Sequence, residues 1–169
     1  MTHFVGIDPS GNTGLTVITD NETILAREVV LKMPLSATYS EIFKYCEQIL
    51  SHLPVNSIVC IENVSHLSKG QAVHFQHVLA GFLRYLLELN KYTYYNVSPS
   101  QLKKFVTGNH NAKKSEMLKG VYRKWDFDTD SDNVADAYGL AKIAEAIQSE
   151  SLELTKYELE VVQKIKEAV

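Results

Sequence analysis

A chain of 169 residues, of which 45% are apolar and 22% charged, has the size and composition of about one globular domain. The net charge of −3 indicates no general affinity for nucleic acid, and Cys46 and Cys60 are too few for a disulfide framework. No apolar run approaches the roughly eighteen residues that cross a membrane, and the N-terminus lacks the pattern of a secretion signal, so we expect a cytoplasmic protein.

The chain begins with a predicted β-hairpin whose first strand ends on a carboxylate. Apolar and β-branched residues flank the turn formers 9–12, and Asp8 stands directly before that turn. An unpaired carboxylate at the end of a buried strand carries a large desolvation cost, so Asp8 needs a partner. A cation, a lysine or arginine, or the backbone amides of the turn from Gly11 to Gly14 would each serve.

Periodicity predicts the next five elements. Strands are expected at residues 23–32, 57–63 and 92–97, and amphipathic helices at residues 36–53 and 67–90. The second of these strands is continuously apolar, which is typical of burial on both faces, and it carries Glu62 near its end. In the longer helix, Phe75 and Tyr85 widen the apolar stripe beyond what one sheet face needs, which favours either core packing or contact with a second subunit.

The segment from residue 101 to residue 124 is strongly basic. It carries seven positive side chains against one negative, Glu116, a balance of +6 that leaves −9 for the rest of the chain. The seven are Lys103, Lys104, Lys113, Lys114, Lys119, Arg123 and Lys124. A helix opening at residues 98–100, a loop at 108–111 and a helix at 112–125 are expected around them. Such a stripe is typical of a phosphate-binding face, although a solvated lysine-rich surface is the alternative.

Two more helices are predicted towards the C-terminus. The first, at residues 132–149, places Asp132 and Asp136 one turn apart on the same face. The second begins at a capping box that starts with Thr155. We therefore expect an α/β domain at residues 1–150 and a C-terminal helical extension at residues 151–169.

Two other metal-binding patterns are weak. The acids that alternate over residues 126–132 fail the calcium-loop pattern, because serine and alanine stand where glycine and glutamate are required. His74 and His77 share a helical face, but no acidic residue is spaced to complete a site with them. We expect these two histidines and His66 to lie on the surface or at an interface.

Four carboxylates are expected to meet at one edge of the sheet. If the strands that carry Asp8 and Glu62 are parallel neighbours, these side chains converge, and Asp132 and Asp136 come from one helical face. Four carboxylates in one pocket raise each other's pKa values unless divalent cations neutralise them. The set therefore predicts a two-metal site for Mg²⁺, with Mn²⁺ as a substitute, because oxygen ligands favour these ions over zinc.

These motifs together resemble those of one nuclease family. Three segments carry the acids: Val5-Gly-Ile-Asp8-Pro with Thr13-Gly14, Ile58-Val-Cys-Ile-Glu62, and Ala135-Asp136-Ala-Tyr-Gly-Leu-Ala141. The segment Ser98-Pro-Ser-Gln-Leu-Lys103-Lys-Phe-Val-Thr-Gly108, continuing to Ala112-Lys-Lys114-Ser, precedes the last of them. In this order, over residues 3–148, they are similar to the RuvC-type Holliday junction resolvases of the ribonuclease H-like superfamily. The short chain suggests a compact, phage-like member.

The resemblance implies a fold, an activity and a set of ligands. It implies an α/β fold with a five-stranded mixed sheet and helices on both faces, a homodimer, and Mg²⁺-dependent paired nicking of four-way DNA junctions. Asp8, Glu62 and Asp136 match the family's acids. The remaining acid usually stands at the position of Asn133, so we assign its role to Asp132, one residue earlier, with Asn133 as a neutral alternative.

The resemblance also implies roles for the basic segment. Lys103 and Lys114 match lysines that act close to the scissile phosphate and are included with the acids among the expected catalytic residues. The expected DNA-binding side chains are Lys103, Lys104, Lys113, Lys114, Lys119 and Arg123.

Three alternatives stay open. A nuclease of the same fold could act on flaps, on other branched DNA or on RNA–DNA hybrids. An actin-like nucleotide-binding fragment would also begin with a strand, an aspartate and a glycine turn, but it needs a second domain and a second glycine-rich loop. A non-catalytic DNA-architecture protein would not need the intact set of acids.

Overall fold

The structure, a computed structural model, describes residues 2–19, 22–30, 37–64, 71–149 and 152–168, and these contain one five-stranded mixed sheet. The strands are β1 Phe4–Asp8, β2 Asn12–Ile18, β3 Thr23–Val30, β4 Ile58–Glu62 and β5 Thr93–Val97. Their order across the sheet is β3-β2-β1-β4-β5. Strand β1 pairs antiparallel with β2 and parallel with β4, so the strands that carry Asp8 and Glu62 are parallel neighbours.

Within the described residues, six helices lie on the two faces of this sheet. They are α1 Tyr39–Leu50, α2 Gln71–Leu89, α3 Pro99–Thr107, α4 Lys114–Trp125, α5 Asp132–Gln148 and α6 Lys156–Lys166. Helices α1 and α2 share one core with Val5, Ile7 and the alternate residues of β4, and the other four helices share the opposite core. The predicted α/β fold, a five-stranded mixed sheet with helices on both faces, is confirmed.

Local sequence sets the ends of several helices. Capping boxes of Thr38 with Glu41 and of Ser98 with Gln101 begin α1 and α3, and Gly108 ends α3 in the left-handed conformation at φ 81°. The sequence predicts that the fourth helix begins at residue 112, but α4 begins at Lys114. Residue 113 has an extended backbone, and its N–H donates to a glutamate side chain.

Some predicted boundaries fall on residues that the structure does not describe. Residues 31–32 of the predicted third strand, residue 36 of the first helix and residues 67–70 of the second are among them. Of the two surplus aromatic residues of α2, Phe75 is buried in the core and Tyr85 is exposed. Among the described residues, every helix is too short or too polar to cross a bilayer.

Helix α5 occupies the centre of its side of the protein. It lies across β1 and β2, while α3, α4 and α6 pack against it. Most of its residues are buried, so its apolar surface runs around the helix instead of forming one stripe. Helix α6 joins the same core through Val161 and Ile165.

Two glycines let α5 approach the sheet at backbone distance. A Cβ atom at Gly6 would lie 1.8 Å from the carbonyl oxygen of Ala137, and one at Gly14 would lie 2.0 Å from the carbonyl oxygen of Asn133. Both separations are far below van der Waals contact, so only glycine fits. Because residues 133 and 137 are one helical turn apart, the two contacts fix the depth and the rotation of α5 above β1 and β2.

We expect Gly6→Ala to destabilise the protein strongly, because the added methyl group collides with the backbone of Ala137 and displaces α5. The expected loss in the free energy of unfolding is about 3 kcal/mol, measured by urea denaturation. Gly81→Ala on α2 is the matched control, because a Cβ atom there meets nothing within 4 Å and should stabilise the helix by up to about 1 kcal/mol. Equal stability of the two variants would contradict the close packing of α5.

Candidate metal centre and nucleic-acid interface

Three carboxylates meet where β1 and β4 end. Asp8 and Glu62 are the last residues of their strands, and strand alternation places them on the face covered by α5. Helix α5 contributes Asp136, which stands three residues after Asn133, the residue in close contact with Gly14. One oxygen atom of each carboxylate lies within 4.8 Å of the others. The structure thus brings together three of the four predicted acids.

Burial makes these three acids difficult to ionise. The pKa of Asp136 is raised to about 7, mainly by desolvation and then by the negative charges of Asp8 and Asp132. Desolvation likewise raises the pKa of Asp8 and that of Glu62, and the hydrogen bond between these two favours the proton on Glu62. The site therefore needs a positive charge before all three carboxylates can be ionised together.

A hard divalent cation fits these carboxylates. Mg²⁺ binds oxygen ligands at about 2.0–2.1 Å, so ligand atoms on opposite sides of the ion are about 4.2 Å apart. Oxygen atoms that already lie within 4.8 Å of one another reach this separation by small movements. In the part of the chain that the structure describes, no second group of three metal-binding side chains is present.

Asp132 lies beside this group and not within it. Its carboxylate forms an ion pair with Lys114, which joins the first residue of α5 to the first residue of α4. The hydrogen bond from Lys114 lowers the pKa of Asp132, while the charge of Asp132 raises the pKa values of Asp8 and Asp136. Asp132 is therefore close enough to act on the three acids electrostatically.

Asn133, the neutral alternative, has a partner on the opposite side of the hairpin. Its Nδ2 atom donates to Glu28 Oε1 on β3 at 3.2 Å. The charge of Glu28 also contributes to the raised pKa of Asp8, after burial and the charge of Asp132. Sequence reasoning missed Glu28, because β3 is an edge strand whose register cannot be read from its own residues.

The basic segment contains both free-standing and paired cations. Lys103 and Lys114 lie close enough to the acids to lower the pKa of Asp136. Lys113, Lys119 and Arg123 are exposed. Two other members pair with α6: Lys104 binds Glu160 at 2.7 Å, and Lys124 binds Glu158 at 2.6 Å. Lys124 also donates to the Phe105 carbonyl oxygen, so it links α4 to both α3 and α6.

The turn after Asp8 does not offer a set of unused amides. Ser10 N–H donates to Thr13 Oγ1, Asn12 N–H donates to Ser10 Oγ, and Thr13 N–H donates to the Tyr45 hydroxyl. Gly14 lies inside β2, where it pairs with Asp8. Three amides of the hairpin turn are thus already used, one of them by a side chain of α1, and of the three partners considered for Asp8 the cation accords best with the surrounding acids.

Arg84 on α2 holds the strand end that carries Glu62. Its guanidinium donates to the Glu62 carbonyl oxygen at 3.3 Å, to Asn63 Oδ1 at 2.8 Å and to Asn96 Oδ1 at 2.7 Å. These bonds tie the ends of β4 and β5 to α2. Sequence reasoning missed this role, and the only signal available was a lone arginine within an apolar helix.

A cavity of about 180 Å³ opens beside Asp8 and Glu62. Its other walls are Pro9, Asn63, Val64, Gln76 and Pro99. The amide groups of Asn63 and Gln76 can form hydrogen bonds with a bound molecule, and neither residue is predicted from the sequence to be in a site.

The weaker sequence patterns remain apart from this site. Asp126, Asp128 and Asp130 are exposed, which agrees with a solvated acidic turn. His74 and His77 are exposed on α2, whereas His66 lies outside the described residues.

The metal-free protein should become less stable as the pH rises from 5 to 8. The folded protein keeps a proton on Asp136 up to a pKa of about 7, whereas the unfolded chain releases it near 3.8. Because the folded state binds more protons in this window, the free energy of unfolding falls with increasing pH, by about 1.4 kcal/mol for each unit of pKa shift. The raised pKa values of Asp8 and Glu62 also make the stability fall as the pH rises. The lowered pKa of Asp132 affects the stability only below about pH 3.8.

Urea denaturation at pH 5, 6, 7 and 8 in EDTA tests this dependence, and saturating Mg²⁺ should flatten it. Asp136→Asn should raise the stability of the metal-free protein at pH 8 and weaken the response to Mg²⁺. A metal-free stability that rises over this range would contradict the burial of the three acids.

Comparisons with known proteins identify the fold. No protein-family model matches this sequence, and no curated protein is significantly similar to it. RuvC of Thermus thermophilus matches with a TM-score of 0.63 and 18% identity over 82% of this chain and 90% of that one. The same protein in complex with a Holliday junction substrate matches with a TM-score of 0.61 and 17% identity over 83% and 91%. Ydc2, the yeast mitochondrial Holliday junction resolvase, matches with a TM-score of 0.58 and 14% identity over 96% and 80%. The chain therefore has the ribonuclease H-like fold of RuvC-type resolvases, and the predicted resemblance is confirmed at the level of the fold.

Proposed function

We propose that this chain is a metal-dependent DNA endonuclease that resolves four-way junctions by paired phosphodiester hydrolysis. The observation that carries the proposal is the meeting of Asp8, Glu62 and Asp136 at one edge of the sheet, within electrostatic reach of Lys103 and Lys114. The fold supports it, because RuvC has the same fold and has been solved with a Holliday junction substrate.

In this proposal Asp8, Glu62 and Asp136 hold Mg²⁺, with Mn²⁺ as a substitute, and Asp132 or Asn133 completes the ligand set. Divalent ions at this site would activate a water molecule and neutralise charge on the phosphodiester. The protein holds the carboxylates on two neighbouring strand ends and a buried helix, so they need little rearrangement to bind.

The proposed DNA contacts come from the basic segment. Lys103 and Lys114 lie near the acids, so a phosphate bound there is within their reach, and they would offset the charge that develops in the transition state. Lys113, Lys119 and Arg123 would bind flanking phosphates. Lys104 is a weaker candidate than the sequence suggests, because Glu160 already neutralises it.

Two opposed cuts require two active sites, so we propose a homodimer. Tyr39, Tyr85 and Leu89 expose large apolar surfaces on α1 and α2, on the side of the sheet opposite α5. The nuclease domain is proposed to be residues 1–150, with residues 151–169 as a C-terminal extension that contains α6, and the cytoplasm stays the proposed location.

Asp8→Asn should lose Mg²⁺-dependent nicking of a four-way junction by at least about 10²-fold and retain junction binding, because the amide keeps the shape of the side chain and removes its charge. The assay compares end-labelled four-way junction, fork, flap, RNA–DNA hybrid and duplex, with products mapped and binding measured by gel shift in EDTA. Asp128→Asn, in the exposed acidic turn, is the matched control and should cut normally.

Full activity of Asp8→Asn would remove this residue from the mechanism. Preferred cutting of flaps or hybrids would favour the other nuclease functions. Junction binding without product in either Mg²⁺ or Mn²⁺ would favour a DNA-architecture protein, and stabilisation by ATP would favour a nucleotide-binding fragment.

Lys103→Ala and Lys104→Ala should differ although the residues are adjacent. Lys103→Ala should weaken junction binding and reduce the slope of log affinity against log salt concentration by about 1, the value for one lost phosphate contact. Lys104→Ala should have little effect, because Lys104 is already paired with Glu160. Glu160→Gln should strengthen binding by releasing Lys104. The measurement is the slope of affinity against salt concentration, and equal slopes for the two lysine variants would contradict the charge assignment.

A further inference from the structure

Glu28 lies in line with Asp8 across the hairpin. Gly14 of β2 pairs with Asp8 on one side and with Glu28 of β3 on the other, so the three residues form one row across the sheet. Residues in such a row point to the same face, which here is the face covered by α5. Gly14 has no side chain, and the backbone of Asn133 occupies the space above it.

Glu28 holds the first turn of α5 through two hydrogen bonds. Its Oε1 atom accepts from Ser131 Oγ at 2.5 Å and from Asn133 Nδ2 at 3.2 Å. Ser131 is the N-cap of α5, and its Oγ atom accepts from Val134 N–H at 3.2 Å. A single carboxylate on the edge strand therefore binds both the cap of α5 and the residue three positions before Asp136.

The chemistry of Glu28 determines what residue 133 can be. An ionised carboxylate only accepts hydrogen bonds, so its partner must be a donor. The amide of Asn133 meets that requirement, and an aspartate of the same shape does not. Two carboxylates at this distance would repel each other beside the three acids of the candidate metal centre.

We propose that Glu28 is a positioning residue that anchors the start of α5 through Ser131 and Asn133 and adds its negative charge to the candidate metal centre. The inference rests on the proposed function for its connection to a metal, whereas the coupling between Glu28 and Asn133 does not depend on it. Glu28 lies within electrostatic reach of Asp8, and its bonds precede Asp136 by one turn of α5. Removal of the Glu28 carboxylate should therefore change metal affinity as well as the stability of the first turn of α5.

The test is a double-mutant cycle of Glu28→Gln and Asn133→Asp, measured at pH 8. In EDTA, Asn133→Asp alone should lower the Tm by several degrees, because it replaces a donor by a second carboxylate. In the Glu28→Gln background the same change should be tolerated, because the glutamine amide can donate to the new aspartate. Equal effects of Asn133→Asp in the two backgrounds would overturn the proposed pairing.

Mn²⁺ affinity, measured by calorimetry without DNA, tests the connection to the metal centre. Glu28→Gln should weaken Mn²⁺ binding by about tenfold, as expected for a residue that supports metal ligands from behind. Ser131→Ala is the comparison variant: it removes the cap of α5 and one of the two partners of Glu28 but keeps the Glu28 charge, so it should lower the Tm and weaken Mn²⁺ binding less than Glu28→Gln does. Unchanged Mn²⁺ affinity in Glu28→Gln would overturn the role at the metal centre, and an equal loss in Ser131→Ala would overturn the contribution of the Glu28 charge.

The two proposals fail in different ways. If the chain is not a nuclease, DNA cleavage is absent in every variant, while the Tm cycle in EDTA still reports the coupling of Glu28 to Asn133. If the chain is a nuclease and Glu28 has no such role, the wild type cleaves a junction and the cycle shows no coupling.

Discussion

The contact of α5 with the β1–β2 hairpin is the constraint on which the candidate site depends. Gly6 and Gly14 allow two backbone carbonyl groups of the helix to rest against the sheet. At a larger helix-to-sheet distance, Asp136 would stand farther from Asp8 and Glu62 than the 4.8 Å within which their oxygen atoms now lie. The geometry of the acids is thus a consequence of two missing side chains, and the glycines act at the site without any chemistry of their own.

The burial that makes the three carboxylates a candidate cation site also costs the fold stability. A strand end and a buried helix hold the acids rigidly, but they also remove the water that would stabilise three negative charges. The fold compensates only partly, with the positive charges of Lys103 and Lys114. The remainder of the compensation must come from a bound ion or from protons.

Most of the fold could be predicted from the sequence, because periodicity and turn residues report local structure directly. The convergence of Asp8 and Glu62 followed from one topological assumption, that their strands are parallel neighbours. The partners of Asp132, Asn133 and Lys104 could not be predicted, because they lie 18 to 105 residues away along the chain. These contacts depend on how the helices are placed relative to one another and to the sheet. Glu28 is the clearest case, since an acid on an exposed edge strand has no pattern that separates it from a solvated one.

Two acids of the C-terminal helix α6 neutralise cations of the basic segment, a role that the sequence of α6 does not suggest. Glu158 and Glu160 cancel two of the seven cations of the basic segment, and both cancelled cations lie on the flank that faces α6. The cations of the segment that α6 leaves unpaired include Lys103 on α3 and Lys119 and Arg123 on α4. A helix without reactive groups therefore decides which cations of the segment stay available to an anion, so its effect on the protein surface extends beyond packing.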